Sequence, residues 1–486
     1  MTGFVDELLA NPPHTPAIIT PDRTVSYGEL RNRIVRLAQC LVVEGLRPEQ
    51  VCAIAVPRGV DAVVAMAAVL HAGGAFLTLD IDQPPQRLAA MLHSGQTAHL
   101  LTTSQVTLSF PGRTTLLDRL TPAIAPLPPV SPRSLAYVSH TSGSTGTPNA
   151  VLIERRGLDS YLRFLARDYD LGPHTTAVQL APLGYDASIR DIFAPLLAGR
   201  RLVLAPRESL LRANEFAAVI RQYEVNTVLS VTPSFLTFLA QYKDIAADLH
   251  RLRLVVSSGE SLRPFLAAGG RDLIAGSLVN QYGPTECTMT STRHRVPVVP
   301  DLSADHIGLP VDGVTAHLLD DQGNPVPPNT IGEIHLGGLS VARGYADRPG
   351  LTADRFRPDP FGEPGSRRYR TGDLARRTED GILEYLGRVD RQIKIRGYRV
   401  DPAEVEAALL THPAVTGAVI TAATDDRGRV HLIAHITGDL TTTTDADLRT
   451  HLGKTLPPHL MPRRFARIDQ LPTTSTGKTD RKALAR

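Results

Sequence analysis

Residues 139–150 read SHTSGSTGTPNA, with Thr141, Ser142, Ser144, Thr145 and Thr147 interleaved with Gly143 and Gly146. Glycines let successive backbone amides converge, and hydroxyls add donors, so such a loop can wrap a polyphosphate. The Gly-Lys-Ser/Thr ending of a Walker loop is missing. A flexible surface linker has the same composition, and the loop alone leaves both readings open. Two further turns carry suitable chemistry. NQYGPTE (280–286) sets Tyr282, whose ring could stack on a purine, beside a Gly-Pro turn and Glu286, which could hold Mg²⁺. YRTGDLA (369–375) places Asp373 after a glycine turn, where a carboxylate could accept both ribose hydroxyls. Each also reads as an ordinary turn; together they point to a nucleotide.

The elements that position these turns alternate. VCAIAV (51–56) and AFLTLD (75–80) flank the helical DAVVAMAAVLHAG (61–73), and AVQLAP, RLVLAP, TVLSVTP and LRLVVSSGE follow as further strand-like runs. Apolar strands between helices predict an α/β architecture with largely buried sheets. The proline-rich APLPPVSPRS (125–134) is a connector. Near the end, DPAEVEAALLTHP (401–413) is an amphipathic helix, and two strands follow around DDRG (425–428). DADLRTHLGKTL then forms a helix, and ARIDQL a last strand. These elements predict a small α+β domain of about a hundred residues, with the boundary in GRVDRQIKIRG (387–397): domains 1–388 and 389–486.

The 486-residue chain exceeds one hydrophobic core. Its 52 basic and 49 acidic side chains nearly balance, giving no reason to invoke nucleic acid or an anionic membrane. Cys40, Cys52 and Cys287 are too few and scattered for a disulfide framework or metal knuckle. The N-terminus has no signal-peptide core and no stretch is apolar enough to span a bilayer, so a cytoplasmic location is expected.

At this point the sequence resembles the adenylate-forming (ANL) superfamily, specifically the amino-acid adenylation domains of nonribosomal peptide synthesis. The likeness runs from VSYGEL (25–30) to STGKTDRKAL (475–484). It includes LHAGGAFLTLD, the Ser/Thr/Gly loop, YDAS (185–188), NQYGPTE, GEIHLGGLSVARGY (332–345), YRTGDL, GRVDRQIKIRGYR, LPPHLMP and TGKTDR. The resemblance implies a large N-terminal domain of βα-layered sheets with a β-barrel-like portion, plus a small mobile lid. It implies ATP-dependent activation of an amino acid to aminoacyl-AMP, then transfer to a phosphopantetheine thiol. Thr141, Ser142, Gly143, Ser144, Thr145 and Gly146 look like triphosphate ligands. Gly259, Glu260, Asn280, Tyr282, Gly283 and Thr285 resemble the adenine side of the site, Asp373 and Arg388 the ribose anchor, and Glu286 the Mg²⁺ ligand. Lys478 looks like the lysine bridging the substrate carboxylate and α-phosphate, and Asp390 like the hinge. The IKIRGYR strand would line a tunnel for the thiol.

By the same resemblance the substrate pocket is lined by Asp186, Ala187, Arg190, Ser230, Val256, Ser258, Gln281, Met289 and Thr290. Asp186 would hold the α-ammonium, since a buried carboxylate is costly without a cation; capping of the following helix is its other reading. Arg190, with its polar neighbours, would grip a polar side chain, acidic or carbonyl-bearing, unless it turns outward or pairs with Asp191.

Departures from the family pattern stand at Asn149, Ala150, His140, Thr78 and Asp401-Pro402. Pro148-Asn149-Ala150 stands in place of Pro-Lys-Gly, so a cation near the phosphates is missing, and Arg155 or Arg156 could compensate. His140 replaces an aromatic, and Thr78 a proline. With no carrier-protein signature in the chain, a stand-alone enzyme using a carrier protein in trans is expected. An MbtH-like activator is conceivable, though no residue indicates one. An acyl- or aryl-CoA ligase and a non-catalytic nucleotide-binding homologue are the alternatives.

Overall fold

A computed structural model of the chain describes residues 3–143, 148–425, 430–473 and 479–484, without the side chain of Lys482. The chain forms two compact units. One comprises Met1–Ile81, Gly95–Ser139 and Ala150–Val389, the other Asp82–Ser94, His140–Asn149 and Asp390–Arg486. The division falls one residue beyond 388, and the second unit takes two short segments from earlier in the chain. Contacts within that unit explain why. Arg87 Nη1 meets Glu404 Oε1 at 2.7 Å, and Ser142 Oγ donates to the Arg399 carbonyl at 3.0 Å.

In the first unit the expected alternation is present. Strand Val51–Ala55 is buried along its length, and helix Val60–His71 is buried on nearly every side. A helix without a polar face must be covered all round, and these elements belong to the larger of two apolar cores in this unit. Their parallel strands sit in a seven-stranded sheet. A second sheet, of fourteen strands, is parallel at its centre and antiparallel towards one end. That antiparallel end is the part of the sheet where the β-barrel-like portion was expected.

The elements that matter for chemistry are helix α1 (Ala187–Leu197) and strands β1 (Thr227–Val231), β2 (Leu254–Ser258), β3 (Ser277–Tyr282) and β4 (Thr292–Val296). β1, β2 and β3 are parallel, so their carboxyl ends lie side by side; Ser258 pairs in register with Gln281. β4 returns antiparallel, with Tyr282 opposite Thr292. Open parallel sheets bind ligands at the carboxyl ends of their strands, and Ser230, Ser258 and Gln281 all stand there.

The second unit has its own apolar core, including Val405, Leu409, Ile436 and Phe465. Helix α2 (Pro402–Leu410) starts where Asp401 accepts the Ala403 amide and proline occupies the first turn. Thr444 caps Asp445–Leu452 in a capping box. Two sequence expectations are corrected here. The last strand is Arg464–Arg467, earlier than ARIDQL, because Phe465 is the residue that enters the core, beside Ala434. IKIRGYR is not one strand but a hairpin, Ile393–Ile395 with Tyr398–Val400. Arg396 and Gly397 both have positive φ, 52° and 82°, the requirement of a tight two-residue turn. Only Asp425 of the DDRG turn lies within the described residues. All three cysteines are free and buried. Among the described residues no helix is long and apolar enough to cross a membrane.

Candidate active site

Arg190, on α1, is 2% exposed and is among the largest fully buried side chains of the described residues. It neither turns outward nor bonds Asp191, whose Oδ2 accepts the amides of Leu180 and Ala181 at 2.9 Å. Its guanidinium instead gathers the predicted pocket residues. Nε donates to Ser230 Oγ at 2.9 Å, and Nη1 reaches Gln281 Oε1, Tyr161 OH (3.2 Å) and Thr290 Oγ1 (3.4 Å). Nη2 donates to Ser258 Oγ at 3.3 Å. Every acceptor is neutral. Ser230 in turn donates to the carbonyl of Ala187, tying β1 to the first turn of α1. Val256 is fully buried in the core.

Asp186 stands at the N-cap of α1, one helical turn before Arg190, yet makes no side-chain capping bond. Its Oδ2 is buried and has no hydrogen-bond partner. Burial pushes its carboxyl above the usual range, against the Thr285 hydroxyl and the Arg190 charge, which favour the ionised form. A buried carboxylate oxygen without a partner is held at a cost. The capping reading of Asp186 therefore fails.

The nucleotide candidates form a second cluster. Asp373 is 3% exposed and accepts from Tyr282 OH (2.6 Å), Tyr385 OH (3.2 Å) and Arg388 Nη1 (2.6 Å). The pairing of its strand brings Arg388 directly opposite. Three of roughly four lone-pair positions on the carboxylate are thus taken. Tyr282 is buried, its ring tilted against Tyr385 at 6.1 Å between centroids, so its hydroxyl orients Asp373. Asn280 donates to the His306 carbonyl at 2.8 Å. Glu260 accepts the Ser234 amide at 3.0 Å, just after Gly259, whose φ of +93° suits glycine.

Glu286 is 1% exposed and accepts from Tyr345 OH at 2.7 Å, which meets Tyr369 OH at 3.3 Å. The turn that carries it is tightly built. Thr288 and Met289 both have positive φ, 51° and 68°, a costly conformation that persists at functional sites when its surroundings enforce it. A Cβ on Gly283 would fall 2.7 Å from the Met289 carbonyl, the Ser291 amide and Thr290 Cα. Gly283→Ala is therefore expected to destabilise the protein by about 1–3 kcal/mol, read as a lower urea midpoint with an unchanged slope. An unchanged midpoint would mean that the turn relaxes.

The hydroxyl-rich loop follows strand Leu135–Thr141. Thr141 is buried, and Ser142 bonds Arg399 as above. Ser144, Thr145, Gly146 and Lys478 lie outside the described residues. Asp390, the proposed hinge, accepts the Gln392 amide at 3.1 Å and opens the second unit's long segment.

The sequence matches the family described as AMP-binding enzyme over residues 5–346, and the AMP-binding enzyme C-terminal domain over 404–478. The chain is an AMP-binding enzyme, of the nonribosomal peptide synthetase adenylation-domain type. It is 40% identical to phosphinothricin tripeptide synthetase PhsC of Streptomyces viridochromogenes, over 99% of this chain and 44% of that protein. It is 35% identical to a dimodular nonribosomal peptide synthase of Bacillus subtilis, over 97% of this chain and 20% of that protein. The chain thus spans less than half the length of these relatives. Among solved structures, PA1221, a synthetase protein containing adenylation and PCP domains, superimposes with TM-score 0.87 at 26% identity, over 99% of this chain and 83% of that one. The artificially fused NpsA-ThdA adenylation–PCP di-domain from Klebsiella oxytoca has the same fold, with TM-score 0.86 at 24% identity, over 96% and 94% of the two chains.

Within this adenylation domain the departures have local explanations. Thr78 donates to the Leu183 carbonyl at 2.6 Å, a bond proline could not make. His140 Nε2 bonds Ser94 Oγ at 2.9 Å, and burial holds its pKa down to about 3, so it is neutral. Both arginines named as compensation for Asn149 have partners of their own. Arg155 donates to the carbonyls of Leu70, Gly74 and Leu135, and Arg156 pairs with Glu154 at 2.8 Å. The adenylation domain also uses tyrosines that sequence reasoning missed. Tyr345 ends the quoted motif GEIHLGGLSVARGY, a usable signal. Tyr161 and Tyr385 sit outside every quoted motif.

Proposed function

We propose that this adenylation domain activates an α-amino acid with a polar side chain. Its carboxylate attacks the α-phosphorus of ATP to give aminoacyl-AMP and pyrophosphate, and the aminoacyl group then passes to the phosphopantetheine thiol of a carrier protein. One observation carries the substrate class: the buried, unpartnered Oδ2 of Asp186. An α-ammonium would satisfy it, whereas an aryl or fatty acid would leave it bare. Asp373, held by Tyr282, Tyr385 and Arg388 with roughly one lone-pair position left, suits one ribose hydroxyl, and Thr141, Ser142 and Gly143 suit the phosphates. Glu286 is a single deeply buried carboxylate. One carboxylate completed by phosphate oxygens is the usual protein share of a Mg²⁺ site, so the donor set fits. Among the described residues no cluster of three His, Cys, Asp or Glu would hold a metal unaided. When bound, Mg²⁺ would neutralise phosphate charge.

In this reading residues 1–388 bind ATP and amino acid, and 389–486 form the lid carrying Lys478 and turning about Asp390. The adenylation–PCP composition of PA1221 and of NpsA-ThdA supports a carrier protein as acceptor. No residue singles out an MbtH-like activator. The test is ATP–pyrophosphate exchange across α-amino acids and des-amino acids. Exchange with an amino acid is expected. Exchange only with acids lacking an amine would make the protein an acyl-CoA-ligase type, and none with any carboxylate, while ATP still binds, a non-catalytic homologue.

A further inference from the structure

We propose that the side chain selected by this pocket is a carboxylate, so that the substrate is a dicarboxylic α-amino acid held by Arg190 Nη2 and Ser258. The inference rests on the amino-acid reading above and narrows it.

A guanidinium has five N–H donors. The Nε and Nη1 edges of Arg190 are closed. Ser230, which accepts from Nε, spends its own proton on Ala187. Gln281 Oε1 accepts from both Nη1 and Thr290, and Gln281 Nε2 is bonded to Tyr169 OH. Thr290 and Tyr161 share a bond at 2.9 Å. The Nη2 edge differs. Of its two N–H groups one goes to Ser258, at 3.3 Å, which leaves the other. Ser258 Oγ accepts there and keeps its own proton to donate. These two donors lie on the half-buried edge of the network, at the end of β2. Being 3.3 Å apart, they are close enough to serve one acceptor group.

Charge decides what that group is. A neutral amide oxygen could accept both bonds, but charge-assisted bonds to a carboxylate are about twice as strong. Among the described residues no carboxylate hydrogen-bonds Arg190; the neighbouring buried Asp191, whose Oδ2 accepts two backbone amides, acts on it only through space. Buried charges are normally paired. Asp186, one turn away, meets the ammonium in the reading above, which leaves the open Nη2 edge to the side-chain carboxylate.

The experiment measures exchange kinetics with L-aspartate, L-glutamate, L-asparagine, L-glutamine and L-alanine, for the wild type, Arg190→Met and Arg190→Lys. For one of the acids, kcat/KM should exceed that of its amide by at least about 100-fold. Arg190→Met should lower the acid's kcat/KM about 100- to 1,000-fold and collapse the acid-to-amide ratio, with Arg190→Lys restoring part of that ratio. A structural role alone would lower all substrates together and leave the ratio intact. A neutral amino acid as best substrate, or an unchanged ratio in Arg190→Met, overturns the proposal while leaving amino-acid activation standing. No exchange with any amino acid overturns both. Thermal melting of each variant separates misfolding from lost recognition.

Discussion

Asp186→Ala is expected to lower kcat/KM for the cognate amino acid about 100- to 1,000-fold, the usual cost of removing one partner of a buried charge pair. The des-amino analogue, poor to begin with, should lose far less. The argument is electrostatic. Asp186 begins α1 without capping it, and its inner oxygen has no partner. The sequence thus places a carboxylate where the fold leaves one of its oxygens unsatisfied, and an ammonium would meet it. Stability should move the other way. Burial raises the folded-state pKa above the unfolded value, so the ionised carboxylate penalises folding at pH values above the raised pKa. The penalty vanishes as pH falls below the unfolded value, where both states are protonated. Asp186→Asn should therefore melt at the same temperature as the ligand-free wild type, or higher, at pH 7, with the difference shrinking towards pH 4. Equal losses for amine-bearing and des-amino substrates would make Asp186 a structural residue instead.

Lys478→Ala is expected to slow adenylation by about two to three orders of magnitude, comparable with removing a key charge-stabilising donor. The reaction brings a carboxylate onto an anionic phosphate while pyrophosphate leaves with added charge, and a cation between the two oxygens offsets the repulsion. The rest of the protein offers few substitutes. Asn149 stands where the family has a lysine, and Arg155 and Arg156 are committed to backbone carbonyls and to Glu154. Transfer of a preformed aminoacyl-AMP to a thiol should be nearly unaffected, since that step no longer joins the two anions. Single-turnover kinetics separate the steps. Near-normal adenylation would remove Lys478 from the chemistry.

Much of this arrangement was legible in the sequence, for identifiable reasons. Strands such as Val51–Ala55 and helices such as Val60–His71 are uniformly apolar because both faces are covered, and Asp401 and Thr444 announce helix starts by capping chemistry. The pocket residues came from the family resemblance, and of these Ser230, Ser258 and Gln281 stand at the carboxyl ends of adjacent parallel strands. The direction of Arg190 was not readable. A lone arginine beside an aspartate on a helix looks solvent-facing, and its inward turn depends on acceptors up to 100 residues away. Tyr282 shows the same limit. Its motif suggests a ring offered to a purine, but its hydroxyl is bound to Asp373 across 91 residues. The IKIRGYR hairpin escaped notice because Arg396, not a glycine, takes the first left-handed position of its turn.

The central claim is that a substrate carboxylate attacks the α-phosphorus. Incubating the protein with ATP, hydroxylamine and its amino acid labelled with ¹⁸O in the carboxylate tests this directly. The account predicts that one ¹⁸O appears in AMP, accompanied by unlabelled pyrophosphate and an aminoacyl hydroxamate. Label in orthophosphate with ADP as co-product, or hydroxamate formed without labelled AMP, would contradict it.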